Sequence, residues 1–111
     1  MFRAQAGYAV TLNPRATSTD VEARILALNL PGITWSPQVE RTTRPSTLTL
    51  TAIIEPTGNP DVALIAIFTL GLSTAQAAEA WERFVDGTLT HLDAYDDRPV
   101  HSVYIEEFRK L

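Results

Sequence analysis

Between Thr47 and Ile54 the chain reads Thr-Leu-Thr-Leu-Thr-Ala-Ile-Ile, with apolar side chains at Leu48, Leu50, Ala52 and Ile54 separated by threonines until Ile53. Successive side chains of a strand leave on opposite faces, so a period of two specifies one buried and one wet face. Threonine, being β-branched, suits the wet side of a pleated surface. A second run, Phe2, Ala4, Ala6, Tyr8, Val10 and Leu12, alternates with Arg3, Gln5, Gly7, Ala9 and Thr11 and stops at Asn13-Pro14. Two half-buried strands in one short chain require a second layer over their apolar faces.

Helices supply that layer. Thr19 and Glu22 have the spacing of a capping box, and Val21, Ile25 and Leu28 follow at i, i+4 and i+7, which puts one stripe of a short helix against a core. Leu30-Pro31-Gly32 ends it. Ser73 and Gln76 repeat the capping spacing before an alanine-rich run predicted to stay helical to about Tyr95, with Ala78, Trp81, Val85, Leu89 and Leu92 as its buried stripe and Phe84 and Thr88 beside it. Gly87 weakens that helix by about 1 kcal/mol relative to Ala.

Three further segments read as strands. Ile33, Trp35 and Val39 share one parity, but Pro37 cannot donate to a ladder, which predicts an edge strand or a bulge. Val62 to Leu72 has two readings: Asn59-Pro60-Asp61 is a helix start, whereas Ile65, Ile67 and a length matching the preceding strand point to a hairpin partner, the reading we adopt. Val100 to Phe108 closes the chain as a strand after the Asp96-Asp97-Arg98-Pro99 turn. The order β-α-β-β-β-α-β predicts one α+β domain over residues 1–111, a mostly antiparallel sheet with two helices on one face, a variant of the ferredoxin-like topology. Such folds host many unrelated functions.

Composition excludes several functions. A net charge of -4, with the basic residues scattered apart from close pairs such as Arg41 and Arg44, leaves no stripe for neutralising phosphates, so no nucleic-acid partner is expected. The chain has no cysteine, hence no disulfide and no thiolate chemistry. Its most apolar stretch is about half of what a membrane span needs, and the start lacks the charged and apolar regions of a signal peptide, which together predict a cytoplasmic protein. Eight of the nine basic residues are arginine, the exception being Lys110. That usage suits a GC-rich genome, such as that of an actinobacterium or its phage.

Chemistry-bearing patterns are sparse. The chain contains neither a Gly-x-Ser-x-Gly elbow nor a phosphate loop nor a dinucleotide fingerprint. His91, Asp93, Asp96, Asp97 and His101 crowd one window, and imidazole with carboxylate suits zinc or manganese. Their spacing fits no established ligand set, and a solvated acidic turn explains them as well, so no metal and no cofactor is expected. His91 as a general acid or base competes with a structural histidine at the flank of a helix stripe. Glu106 and Glu107, adjacent in a strand, point to opposite faces and form no dyad.

What stands out is apolarity on both parities. Ile53 sits on the threonine face, and Ala63, Ile65 and Ile67 lie on the parity opposite Leu64, Phe68 and Leu70. A strand apolar on both faces is covered on both, and helices on one side leave the other to a second chain. Trp35, near the predicted edge, is a further anchor, because tryptophan is enriched at contact centres. The expected interface is therefore Trp35, Ile53, Ala63, Ile65 and Ile67. This predicts a non-enzymatic protein-interaction or assembly module that self-associates through an open sheet face, in a setting such as a structural or connector subunit of a phage. The alternative is a small dimeric α+β barrel enzyme or ligand-binding domain, with an apolar cavity lined by Tyr8, Trp81 and Phe84 and a histidine at its mouth.

Overall fold

A computed structural model describes residues 3–36, 40–41, 46–88 and 99–111. The chain is an α+β protein. Its elements run β1 (Ala4–Leu12), α1 (Ser18–Leu26), β2 (Ile33–Trp35), β3 (Glu40–Arg41), β4 (Thr47–Ile54), α2 (Pro60–Phe68), α3 (Thr74–Val85) and β5 (Val100–Lys110).

The alternation that opened the sequence determines the sheet. In β1 the even positions Ala4 to Leu12 are buried and the odd ones half-buried, and β4 repeats the pattern with Leu48, Leu50, Ala52 and Ile54 inside. β1 lies at the centre, antiparallel to β4 from Ala4↔Ile54 to Thr11↔Thr47 and antiparallel to β5 on its other side. β2 and β3 both pair with β4 along its outer edge, Ile33 opposite Ile54 and Arg41 opposite Leu48. The expected interruption at this edge therefore exists as two short strands in one column, while Pro37 itself lies outside the described residues. All pairings are antiparallel, and the sheet is open, ordered β2-β4-β1-β5.

The hairpin reading of Val62 to Leu72 is corrected: the segment forms helix α2. Asn59 caps it by accepting from the Asp61 N–H at 2.9 Å, and Pro60 takes the first turn, where its missing N–H costs nothing. Ala63, Ile65, Ala66, Ile67 and Phe68 are all buried. A helix enclosed on most sides is apolar on most sides and shows no stripe, so the run lacks the helical period by which it would be recognised. Among the described residues the element order is thus β-α-β-β-β-α-α-β, with three helices instead of two. The two-sided apolarity of this segment is satisfied within the chain.

The other two helices begin close to where their caps predict, with one shift each. α1 starts two residues early, because Thr17, not Thr19, accepts from the Asp20 N–H at 3.3 Å. Its stripe of Val21 and Ile25 is fully buried, with Leu28 packed beside it. In α3 the Ser73–Gln76 box forms with both arms at 3.2 Å. The helix then ends far short of Tyr95. Gly87 adopts φ 79°, the Thr88 N–H reaches the Arg83 carbonyl at 2.9 Å and the Gly87 N–H the Phe84 carbonyl at 3.3 Å, which is a Schellman closure. Glycine here terminates the helix instead of weakening it. The buried stripe is also rotated: Ala80 is enclosed and Trp81 and Phe84 are partly buried, whereas Ala78 is exposed and Val85 is 80% exposed. Leu89 and Leu92 lie outside the described residues.

One contiguous core results, joining the even positions of β1 and β4 with Ile33, Val100, Val103, Val21, Ile25, Ala80 and the interior of α2. At one end of it two turns meet backbone to backbone. A Cβ on Gly32, which has φ 74°, would fall 2.6 Å from the Gly58 backbone, so neither loop admits a side chain there.

Candidate functional site

Because the helices join the core on the even-numbered face of β1 and β4, the odd-numbered face is left without any of the described helices. The strand registers assemble it in rows. Thr34, Ile53, Gln5 and Arg109 lie side by side, then Thr51, Gly7 and Glu107, then Thr49, Ala9 and Tyr104, and last Thr47, Thr11 and Ser102. Threonines occupy one side of this face, glycine and alanine its middle, and the charged residues the β5 side. Gly7 and Ala9 lack bulk, so the centre has low relief between the threonines of β4 and the half-exposed ring of Tyr104. Arg109 donates to Gln5 Oε1 at 3.3 Å and stands 3.8 Å from Glu107 Oε1, which ties the β5 side of the face to β1.

The structure separates the expected interface residues. Ile53 lies on this outer face. Trp35 is opposite Ala52 and therefore on the helix side, where its ring meets Tyr8 edge to face at 5.8 Å. Its indole Nε1 is buried with no hydrogen-bond partner. Ala63, Ile65 and Ile67 belong to α2 and are 0% exposed. Their placement on a sheet face is corrected, for the physical reason given above, and their apolar surface is consumed within the chain.

Of the groups with catalytic potential, Tyr8 and His101 fall among the described residues. Tyr8 is enclosed and its hydroxyl donates to the Pro60 carbonyl at 2.9 Å, tying the central strand to the start of α2. Burial, with the Asp61 carboxylate adding to it, pushes this phenol far above its usual range, so it stays neutral. His101 is exposed on β5, at the second of the strand's two register shifts. His91, Asp93, Asp96 and Asp97 lie outside the described residues. Among the described residues no group of three metal-ligating side chains gathers. No helix among the described residues is long and apolar enough to cross a membrane.

The Glu106–Glu107 reading changes in detail. A register shift between Gly7 and Tyr8 leaves Glu106 as an extra residue between Glu107, opposite Gly7, and Ile105, opposite Tyr8. Strict alternation therefore fails there, as a bulge requires. Both carboxylates are exposed, on a strand whose far edge pairs with no other described strand. No family model matches the chain, and no curated protein matches it.

Proposed function

We propose that this chain is a non-enzymatic assembly module that self-associates by laying the outer face of its sheet on the same face of a second copy. The carrying observation is a sheet face that no described helix covers: four columns wide, low in relief at Gly7 and Ala9, and carrying Ile53 among threonines. Two such faces stack about 10 Å apart, which small and β-branched side chains fill. An isologous two-fold contact is the commonest way for identical chains to meet. The column order, with helices in both crossovers, supports a ferredoxin-like variant in which α3 is the added element. A cytoplasmic or virion setting as a structural or connector subunit accords with the composition.

The pocket alternative gains no support, since Tyr8 and Phe68, both fully buried, occupy the space between sheet and helices. Light scattering coupled to size exclusion tests the face. The wild type should exceed the 12.2 kDa chain mass, and Ile53→Arg should lower that mass with circular dichroism unchanged. A wild type at chain mass, or an assembly indifferent to Ile53→Arg, sinks the face reading.

A further inference from the structure

The strand registers continue the outer face one row beyond Gln5. Arg3, next after the Ala4↔Ile54 pair, donates from Nε to Glu55 Oε1 at 3.2 Å, and the Leu111 N–H donates to the Arg3 carbonyl at 2.9 Å, so these three residues form that row. On its β5 side the face then carries Leu111, Arg109, Glu107 and Tyr104 in order. The bulged residue, Glu106, has no row on β1. Tyr104 and Leu111 are 55% and 54% exposed. Turned end for end, this series complements itself: apolar lies over apolar and cation over anion.

The β1 column is complementary in size. Its series Arg3, Gln5, Gly7, Ala9 passes from long side chains to short ones, so the same reversal sets Gln5 over Gly7. The backbone does not demand glycine here. The φ of Gly7 is not positive, and an added Cβ would stand 3.5 Å from the Glu107 Cβ, an ordinary contact that the neighbouring bulge leaves open. Glycine within a strand weakens it and commonly marks a place where another group comes close.

We propose that two copies stack their outer faces about a two-fold axis crossing the strands between the Gly7 and Gln5 rows, so that Glu107 of each meets Arg109 of the other and Gln5 of each fills the space over Gly7. This register rests on the face reading above. Ile53 then lies beside the axis over Thr51 of the other copy, and such β-branched side chains fill a stack about 10 Å thick. Tyr104 of each copy covers Leu111 of the other. The Glu107–Arg109 pair, 3.8 Å apart within a chain, closes with its mate into four alternating charges.

Charge and volume disfavour the other registers. An axis through the Glu107 row sets Glu107 on Glu107, and one through the Arg109 row sets Arg109 on Arg109. Like charges brought together across an interface are costly, which is how charge fixes register. An axis running along β1 lays Gly7 on Gly7 and Ala9 on Ala9, and the unfilled centre forfeits its contacts.

Two experiments read the register by light scattering. Glu107→Arg makes the β5 series basic and Arg109→Glu makes it acidic; each alone should show a two-fold fall in mass, and an equal mixture should regain the wild-type mass. Gly7→Gln sets long side chains over long ones and should dissociate the assembly, while the exchange, Gly7→Gln with Gln5→Gly, should restore it. The exchange alters no charge, so its rescue reports register and not general attraction. Circular dichroism should be unchanged throughout, and if Gly7→Gln does not fold the charge mixture decides alone. An assembly that Ile53→Arg disrupts but Glu107→Arg does not, or a mixture and an exchange that both stay at chain mass, overturns this register and leaves the face reading standing. A wild type at chain mass overturns both.

Discussion

Replacing Ile67 by Ala tests the architecture at the point where sequence and structure part. The side chain lies in α2 and is 0% exposed, next in sequence to Phe68, also 0% exposed. The substitution removes three carbon atoms, and at about 0.8 kcal/mol per buried methylene the transfer loss alone is about 2.4 kcal/mol. Incomplete collapse around the vacancy brings the total into the usual range for such deletions, about 2–5 kcal/mol. Against a domain stability of about 5–15 kcal/mol this is a large share. With a urea slope of about 1–3 kcal/mol/M, equilibrium unfolding followed by tryptophan fluorescence should show the midpoint falling by about 1 M or more. Val85→Ala, at a position 80% exposed, is the control and should move it little. A midpoint for Ile67→Ala that stays with the control would mean that α2 does not bury this face, and the helical account of the segment would fail.

Two further outcomes follow from single sites. Tyr8 has its pKa raised in the fold, so its contribution is full below the unfolded value near 10 and is lost as pH climbs beyond it; unfolding midpoints measured from pH 9 to 11 should fall more steeply for the wild type than for Tyr8→Phe, and parallel curves would contradict an enclosed phenol. Gly32→Ala places a Cβ against the Gly58 backbone at a positive φ and should lower the thermal midpoint sharply, whereas Gly87→Ala, with nothing within 4 Å of the added carbon, should cost only the strain of its φ; equal losses for the two would contradict the close approach of the loops.

The strands were readable because each has one face in the core, which leaves a period of two in the sequence. Thr47 to Ile54 forms β4 with the limits the alternation indicates. α2 was not readable from its apolar positions, since Ile65 to Phe68 are consecutive and all buried, and continuous burial erases period. Its only local mark is Asn59-Pro60-Asp61, and there the cap chemistry was the better guide than the run it precedes. The rotation of the α3 stripe has a related cause: Trp81 and Phe84 fit either phase, and only the packing of Ala80 decides between them. For the surface, Ile53 was visible as an apolar residue on a threonine face.

The position of β1 has a consequence for how the chain acquires its structure. It precedes the other described strands and sits at the sheet centre, yet its neighbours come much later: Ala4 pairs with Ile54 on one side and with Lys110 on the other. Neither contact is a hairpin, so each requires a long loop to close before any bond forms. Topologies dominated by distant pairings fold slowly, on the order of milliseconds to seconds. During synthesis, β1 and β4 can dock with one edge of the central strand still bare, and that edge stays available to other chains until β5 has been translated. The nascent chain is therefore most exposed to misassociation in the interval between β4 and β5.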